Sequence, residues 1–244
     1  MSRERPLHFL HIGKTGGTAV KHALKPVEVA ENLILHPHPA RLSDVSPGES
    51  VFFFLRDPMT RFISAFYSRR REGRPRYLMP WSPGEAAAFA RFHTPDELAN
   101  GLSSISAAER KKAVRAMSSI AHINTRFWSW LISPAYLQSR AADIFFIGMQ
   151  EHLAGDFAII RAQLGLAESV QLPNDDVDAH RNPSGLDRSL GEQAKRNLAA
   201  WYGDDFVAMR ECRRIARERN LAGAIVDAAW LDFTPLASQP ARKN

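Results

Sequence analysis

A lysine set among glycines and threonines, Gly13-Lys14-Thr15-Gly16-Gly17-Thr18, is the first group of residues in the chain equipped for chemistry. Glycines allow successive backbone N–H groups to converge on one oxyanion, a helix N-terminus behind them adds partial positive charge, and Lys14 adds a full one. The stretch reads as a phosphate cradle; its plain alternative is a glycine turn with a solvated lysine. A second cation follows at Arg56, and the hydroxyl of Ser64 stands about two helical turns beyond it, so that fork and hydroxyl can converge on a single anion. Between these groups lie His36 and His38, separated by one proline. Imidazole changes charge closest to neutral pH, which suits proton transfer, although a loop histidine is more often surface decoration. No His, Cys and carboxylate cluster has the spacing of a metal site, so no metal is expected.

These residues need elements to hold them, and the sequence supplies strand, loop and helix in repetition. Leu7 to Ile12 is an apolar strand that stops at Gly13, and a helix runs from Thr18 until Pro26 ends it. Asn32 to Leu35 reads as a second strand, leading straight into His36-Pro37-His38-Pro39, where prolines forbid further pairing. Val51-Phe52-Phe53-Phe54-Leu55 is an unbroken apolar run, as expected of a strand buried on both faces of a parallel sheet. Arg56 follows at once, with Asp57 as N-cap and Pro58 at the first helical position. On that helix Met59, Phe62, Ile63 and Phe66 form the apolar stripe, while Arg61, Ser64 and Ser68 share another face. All the candidate groups thus fall just beyond strand ends, where open α/β sheets bind their ligands.

Arg69 to Arg76 is a basic run broken by glycine and proline, expected as a solvated loop that could draw an anionic acceptor. A helical insertion is expected over about 83–140, its core stripe made of Val114, Met117, Ala121, Trp128 and Leu131. Asp143 to Gly148 reads as another buried strand, covered by a helix ending at Gly165. A turn-rich loop from Asn174 to Asp187 precedes helices over 189–202 and from 204 to about 229, with the arginines of 210–219 as a solvated face. The tail, about 231–244, reads as loose. The expectation is one domain over 1–244, an α/β, P-loop-like three-layer fold with a central parallel sheet flanked by helices, plus the helical insertion.

Gly13-Lys14-Thr15 imitates the end of a Walker A loop, but that motif would need a glycine where His8 stands, and here the glycines follow the lysine. The loop instead resembles the 5′-phosphosulfate loop of sulfotransferases that use 3′-phosphoadenosine 5′-phosphosulfate (PAPS). Phe54-Leu55-Arg56-Asp57-Pro58-Met59-Thr60-Arg61-Phe62-Ile63-Ser64 resembles the 3′-phosphate motif of the same family, which implies that Arg56 and Ser64 hold the 3′-phosphate. The overall look is most similar to the branch containing heparan sulfate and uronyl 2-O-sulfotransferases and their bacterial relatives. In that branch a His-x-His pair after the second strand supplies the base, which implies catalysis by His38 with support from His36. The resemblance further implies that Lys14 meets the bridging oxygen, that the backbone of Gly13 to Thr18 cradles the 5′-phosphate, and that a late loop carrying Arg181 and Ser184 closes over the nucleotide. Glu49 and His180 stand next in line as base. The implied reaction is sulfuryl transfer from PAPS to an acceptor hydroxyl or amine, on a carbohydrate by analogy with the branch.

Composition is that of a soluble globular chain, with 45% hydrophobic and 24% charged residues over 244 positions. A formal charge of +6 suits a protein that handles anions. Nucleic acid is not expected as a partner, since no groove-reading motif is present. Cys212 has no second cysteine to pair with, and no apolar run reaches membrane-spanning length. No signal peptide core is seen near the N-terminus, and with the strand beginning at once a cytoplasmic enzyme is the expectation. Two rivals differ in class: an ATP-using kinase of the P-loop type, weakened by the failed spacing, and a basic module that binds sulfated or phosphorylated glycans without catalysis. Loss of Lys14 or Arg56 would favour the second, and both are present.

Overall fold

The computed structural model describes residues 5–75, 77–175, 183 and 185–232. Four strands, β1 (Leu7–Leu10), β2 (Leu33–Leu35), β3 (Ser50–Leu55) and β4 (Ile144–Met149), form a parallel sheet in the order β2-β1-β3-β4. Side chains alternate across β3, and both faces are buried. Phe52 and Phe54 join Leu7 and Phe9 of β1 under helices α1 (Gly17–Leu24) and α8 (Leu153–Gln163). Val51, Phe53 and Leu55 join the opposite core under α2 (Pro58–Arg70), α9 (Glu192–Trp201) and α10 (Gly203–Glu218). The result is the α/β three-layer, P-loop-like fold expected from the sequence. The chain leaves β1 to form β2 on one side and returns to form β3 on the other, so a topological switch point lies at the C-terminal end of β1. Lys14 follows that end directly.

Five helices, α3 (Pro83–Arg91), α4 (Pro95–Gly101), α5 (Ala107–Ser119), α6 (Trp128–Leu131) and α7 (Pro134–Ser139), intervene between α2 and β4. The stripe expected there is wrong at Val114, which is 43% exposed; Met117 and Leu131 are buried as expected, and Ala113, Ala116 and Ile120 complete the contact. Val114 has an apolar side chain, but the buried arc of α5 is set by small alanines, and hydropathy alone did not distinguish the two faces.

The basic run also departs from its solvated reading. Arg69 is 1% exposed and forks onto Glu85, with Nε donating to Oε1 at 2.6 Å and Nη2 to Oε2 at 2.8 Å. Glu85 further accepts from the backbone N–H of Ser82 and of Ala121. Burial opposes its ionisation, but the guanidinium and the two backbone donors outweigh burial and hold the carboxyl down at about 2. Glu85→Ala should therefore cost about 3–5 kcal/mol in denaturant unfolding, because it strands a buried guanidinium and two backbone donors. A loss below 1 kcal/mol would show that Arg69 finds water or another partner. Arg213 is likewise buried, paired with Asp232, so the arginines of α10 are not one solvated face. That helix ends at Glu218 rather than near residue 229; Asn220 and Gly223 take positive φ and turn the chain.

Candidate active site

The loop after β1 is built from close approaches. Lys14 (φ 67°) and Gly16 (φ 84°) both adopt the left-handed conformation, which wraps the backbone around the N-terminus of α1. The Thr15 hydroxyl donates to the Ile12 carbonyl at 2.9 Å, so this side chain closes the turn from within and faces away from the cavity. At Gly13 a β-carbon would lie 2.8 Å from His38 Cε1, and at Gly17 one would lie 2.2 Å from His11 Cδ2. Glycine is required at both positions so that two imidazoles can lean against the loop.

A cavity of about 990 Å³ opens here. Lys14, Gly16, Gly17, Thr18, Arg56, Ser64 and His38 all line it, so most of the residues singled out in the sequence are brought together. Gly13 and Thr15 support it from behind. Arg181, Ser184 and His180 lie outside the described residues. No carboxylate pairs with Lys14 among the described residues, and burial, then the charges of Arg56, Arg71 and Arg61, lower its pKa to about 7. Arg56 is aimed by Thr60, whose Oγ1 accepts from Nε at 3.0 Å, and by the Lys14 carbonyl. Glu151 forms an ion pair with it at 3.9 Å from Nε, beyond hydrogen-bond distance, and Arg56 lines the cavity. Asp57 caps α2 by accepting from Met59 and Thr60 N–H, both at 2.9 Å, and so fixes the helix that carries Ser64.

His38 leans against this loop and lines the same cavity. Its ring packs against His11 (centroids 4.3 Å apart), His122 (5.6 Å) and Trp130 (6.3 Å), and the Trp130 indole donates to the His38 carbonyl at 2.9 Å. Burial first, and then nearby cations including Lys14, lower the His38 pKa, so the ring is neutral near pH 7 and able to accept a proton. His11 and His122 are driven to about 3, chiefly by burial, and add no charge.

The two histidines of the His-Pro-His pair are separated by the structure. His36 Nε2 is 2.8 Å from His8 Nδ1, and His8 Nε2 lies 3.1 Å from Glu49 Oε2, a line of groups outside the cavity. Successive side chains of an extended segment point in opposite directions, but i and i+2 return to one side only while the strand persists; Pro37 breaks that register. The groups that touch His38 are His11, His122 and Trp130.

Sequence reasoning missed those three, and it set Arg61 on the helix face of Ser64 and Ser68 without giving it a role. Arg61 is fully buried beneath the site, with Nε donating to the Gly13 carbonyl at 2.9 Å, Nη1 to the Thr125 carbonyl at 2.9 Å, and its plane over Phe127 and Trp130. His11 had a usable signal, since it continues the face of Leu7 and Phe9 to the strand end. His122 and Trp130 come from the insertion, and nothing in their local pattern marks them.

Fold and cleft together define a class: a P-loop-like α/β protein with a glycine-rich, lysine-bearing loop at the switch point of its sheet and a neutral imidazole beside it. Residues 1–208 match the profile described as the Sulfotransferase family, and the chain belongs to that family. It is an enzyme of sulfuryl transfer. A comparison with curated proteins returned no match. Among the described residues no three or more His, Cys, Asp or Glu are grouped to hold a metal, and no helix is long and apolar enough to cross a membrane.

Proposed function

We propose that this sulfotransferase takes its sulfuryl group from PAPS and delivers it to an acceptor hydroxyl, on a carbohydrate. The observation that carries the reading is that Lys14, with no carboxylate partner among the described residues, and a neutral imidazole line the same cavity as a second cation, Arg56, and the Ser64 hydroxyl. The residues fit the donor: the Gly16-Gly17-Thr18 backbone and the α1 N-terminus would hold the 5′-phosphate, and Arg56 and Ser64 the 3′-phosphate. The donor supplies an activated sulfur–oxygen bond. His38 removes the acceptor proton as the acceptor oxygen attacks sulfur; the bond from sulfur to the bridging phosphate oxygen breaks, and its electron pair stays on the phosphate. Lys14 neutralises the charge that grows there. The carbohydrate acceptor rests on the likeness of His36-Pro37-His38 to the uronyl branch.

The nucleotide assignment is tested by thermal shift. At 100 times its dissociation constant a ligand selective for the native state adds about 2.7 kcal/mol of stability. 3′-Phosphoadenosine 5′-phosphate should raise the melting temperature well beyond ADP, AMP or ATP at equal concentration. Equal shifts for all four would remove Arg56 and Ser64 from the 3′-phosphate and with them the donor.

A further inference from the structure

Between α2 and α3 the chain runs Tyr77-Leu78-Met79-Pro80-Trp81, and its four large apolar side chains stay between 39% and 57% exposed. Apolar surface gathered in one place on a globular protein marks a contact surface. The backbone that displays it is fixed. The Met79 N–H donates to the Glu72 carbonyl at 2.8 Å, and Arg69 donates to the Met79 and Pro80 carbonyls at 3.2 and 3.3 Å. The Trp81 indole donates to the Arg69 carbonyl at 2.7 Å, and the Tyr77 ring lies so close to Gly73 that a β-carbon there would come within 2.0 Å of it. The buried pair of Arg69 and Glu85 thus mounts a row of exposed apolar side chains.

Tyr77 and Met79 line the cavity that holds Lys14 and His38. The same pair joins this rim to the base, because Glu85 also accepts from the Ala121 N–H at 3.1 Å, and His122, next in the chain, packs against the His38 ring. The wall between rim and base is neutral. Ser82, Ser119, Asn124 and Thr125 supply its polar groups, Glu85 is matched by Arg69, and burial keeps His122 uncharged. Among the described residues the lysines and arginines lining the cavity are Lys14, Arg56 and Arg188. Arg56 reaches the Lys14 carbonyl and feels the charge of Arg188, so these three gather at the donor's end. Arg71 of the basic run turns back to the Arg74 carbonyl at 3.2 Å and does not line the cavity.

We infer that the acceptor is uncharged and carries an apolar aglycone, which lies on Met79 and Tyr77 while the hydroxyl reaches His38. The inference rests on the reading of His38 as base and of the acceptor as a carbohydrate. A neutral wall gives an acidic sugar no counter-charge, whereas an alkyl chain that covers Met79 and Tyr77 removes apolar surface from water on both sides of the contact.

The test titrates the whole protein, with and without 3′-phosphoadenosine 5′-phosphate, with hexyl β-galactoside, methyl β-galactoside and galacturonate. The hexyl glycoside should bind at least tenfold more tightly than the methyl glycoside, and galacturonate no more tightly than the methyl glycoside. Met79→Ser should cut the preference for the hexyl chain at least threefold and leave nucleotide affinity unchanged. Ile105→Ser, the same kind of change at an exposed position outside the cavity, should keep the preference whole. Equal affinity for the two glycosides, tighter binding of galacturonate, or a preference untouched by Met79→Ser would overturn the inference. Cosedimentation with phosphatidylcholine vesicles without any preference for the hexyl glycoside would give the apolar run to a membrane surface instead and overturn it equally. The preference is read with and without nucleotide, so failure to bind the nucleotide would sink the donor assignment alone.

Discussion

Lys14→Ala is expected to lower kcat by about 10²–10³-fold, the range found when one preorganised charge-stabilising donor is removed. The interaction strengthens as the bridging oxygen gains charge, so the loss falls on turnover more than on nucleotide affinity. The lysine also brings a proton signature. With a pKa of about 7, its ammonium is partly deprotonated at neutral pH, and a bound phosphate raises the pKa toward its ordinary 10.5. Above pH 7 nucleotide binding must then take up a proton, so affinity falls as pH rises through that window. Calorimetry at pH 8 in buffers of different ionisation enthalpy reads the uptake directly, and Lys14→Ala should abolish it. An equal loss in affinity and kcat, or no proton uptake by the wild type, would remove Lys14 from the leaving group.

The second large effect is expected at His38. A general base contributes about 10²–10⁴-fold, so His38→Ala should lose that much in kcat while nucleotide binding stays nearly normal. The pH profile carries the sign of the burial. A neutral ring is the active form, so the rate rises with pH, and because the pKa is depressed the acidic limb falls below the ordinary 6.5. His36→Ala should cost far less than His38→Ala, since His36 faces His8 rather than the cavity. If His36→Ala were the more damaging of the two, proton transfer would run through the His36, His8 and Glu49 line instead.

What the sequence revealed and what it hid follow from one distinction. Apolar runs such as Leu7 to Leu10 and Val51 to Leu55 announce buried parallel strands because burial on both faces leaves no alternation to misread. Asp57-Pro58 announces a helix start because cap chemistry is local. Lys14, Arg56, Ser64 and His38 were therefore placed by their neighbours in the chain, and the fold delivers them to one cavity. Arg69 was read as solvated because its partner, Glu85, is supplied across a turn that charge counting ignores. Arg61 meets Thr125 and Trp130 between α2 and the insertion, and His122 of the insertion meets His38 beyond β2; pairings at that separation leave no periodic trace. His36 shows the limit of spacing itself, since a proline between two histidines undid the alternation that an extended strand would have imposed.

The guanidinium of Arg61 has a mechanical meaning. One rigid side chain holds the carbonyl of Gly13 on one bank of the cleft and that of Thr125 on the other, so the gap between the banks is gauged by the length of a single planar group. A cleft of fixed gauge works as a jig. Tied to both carbonyls by one buried guanidinium, the two banks are set apart by the span of that single group.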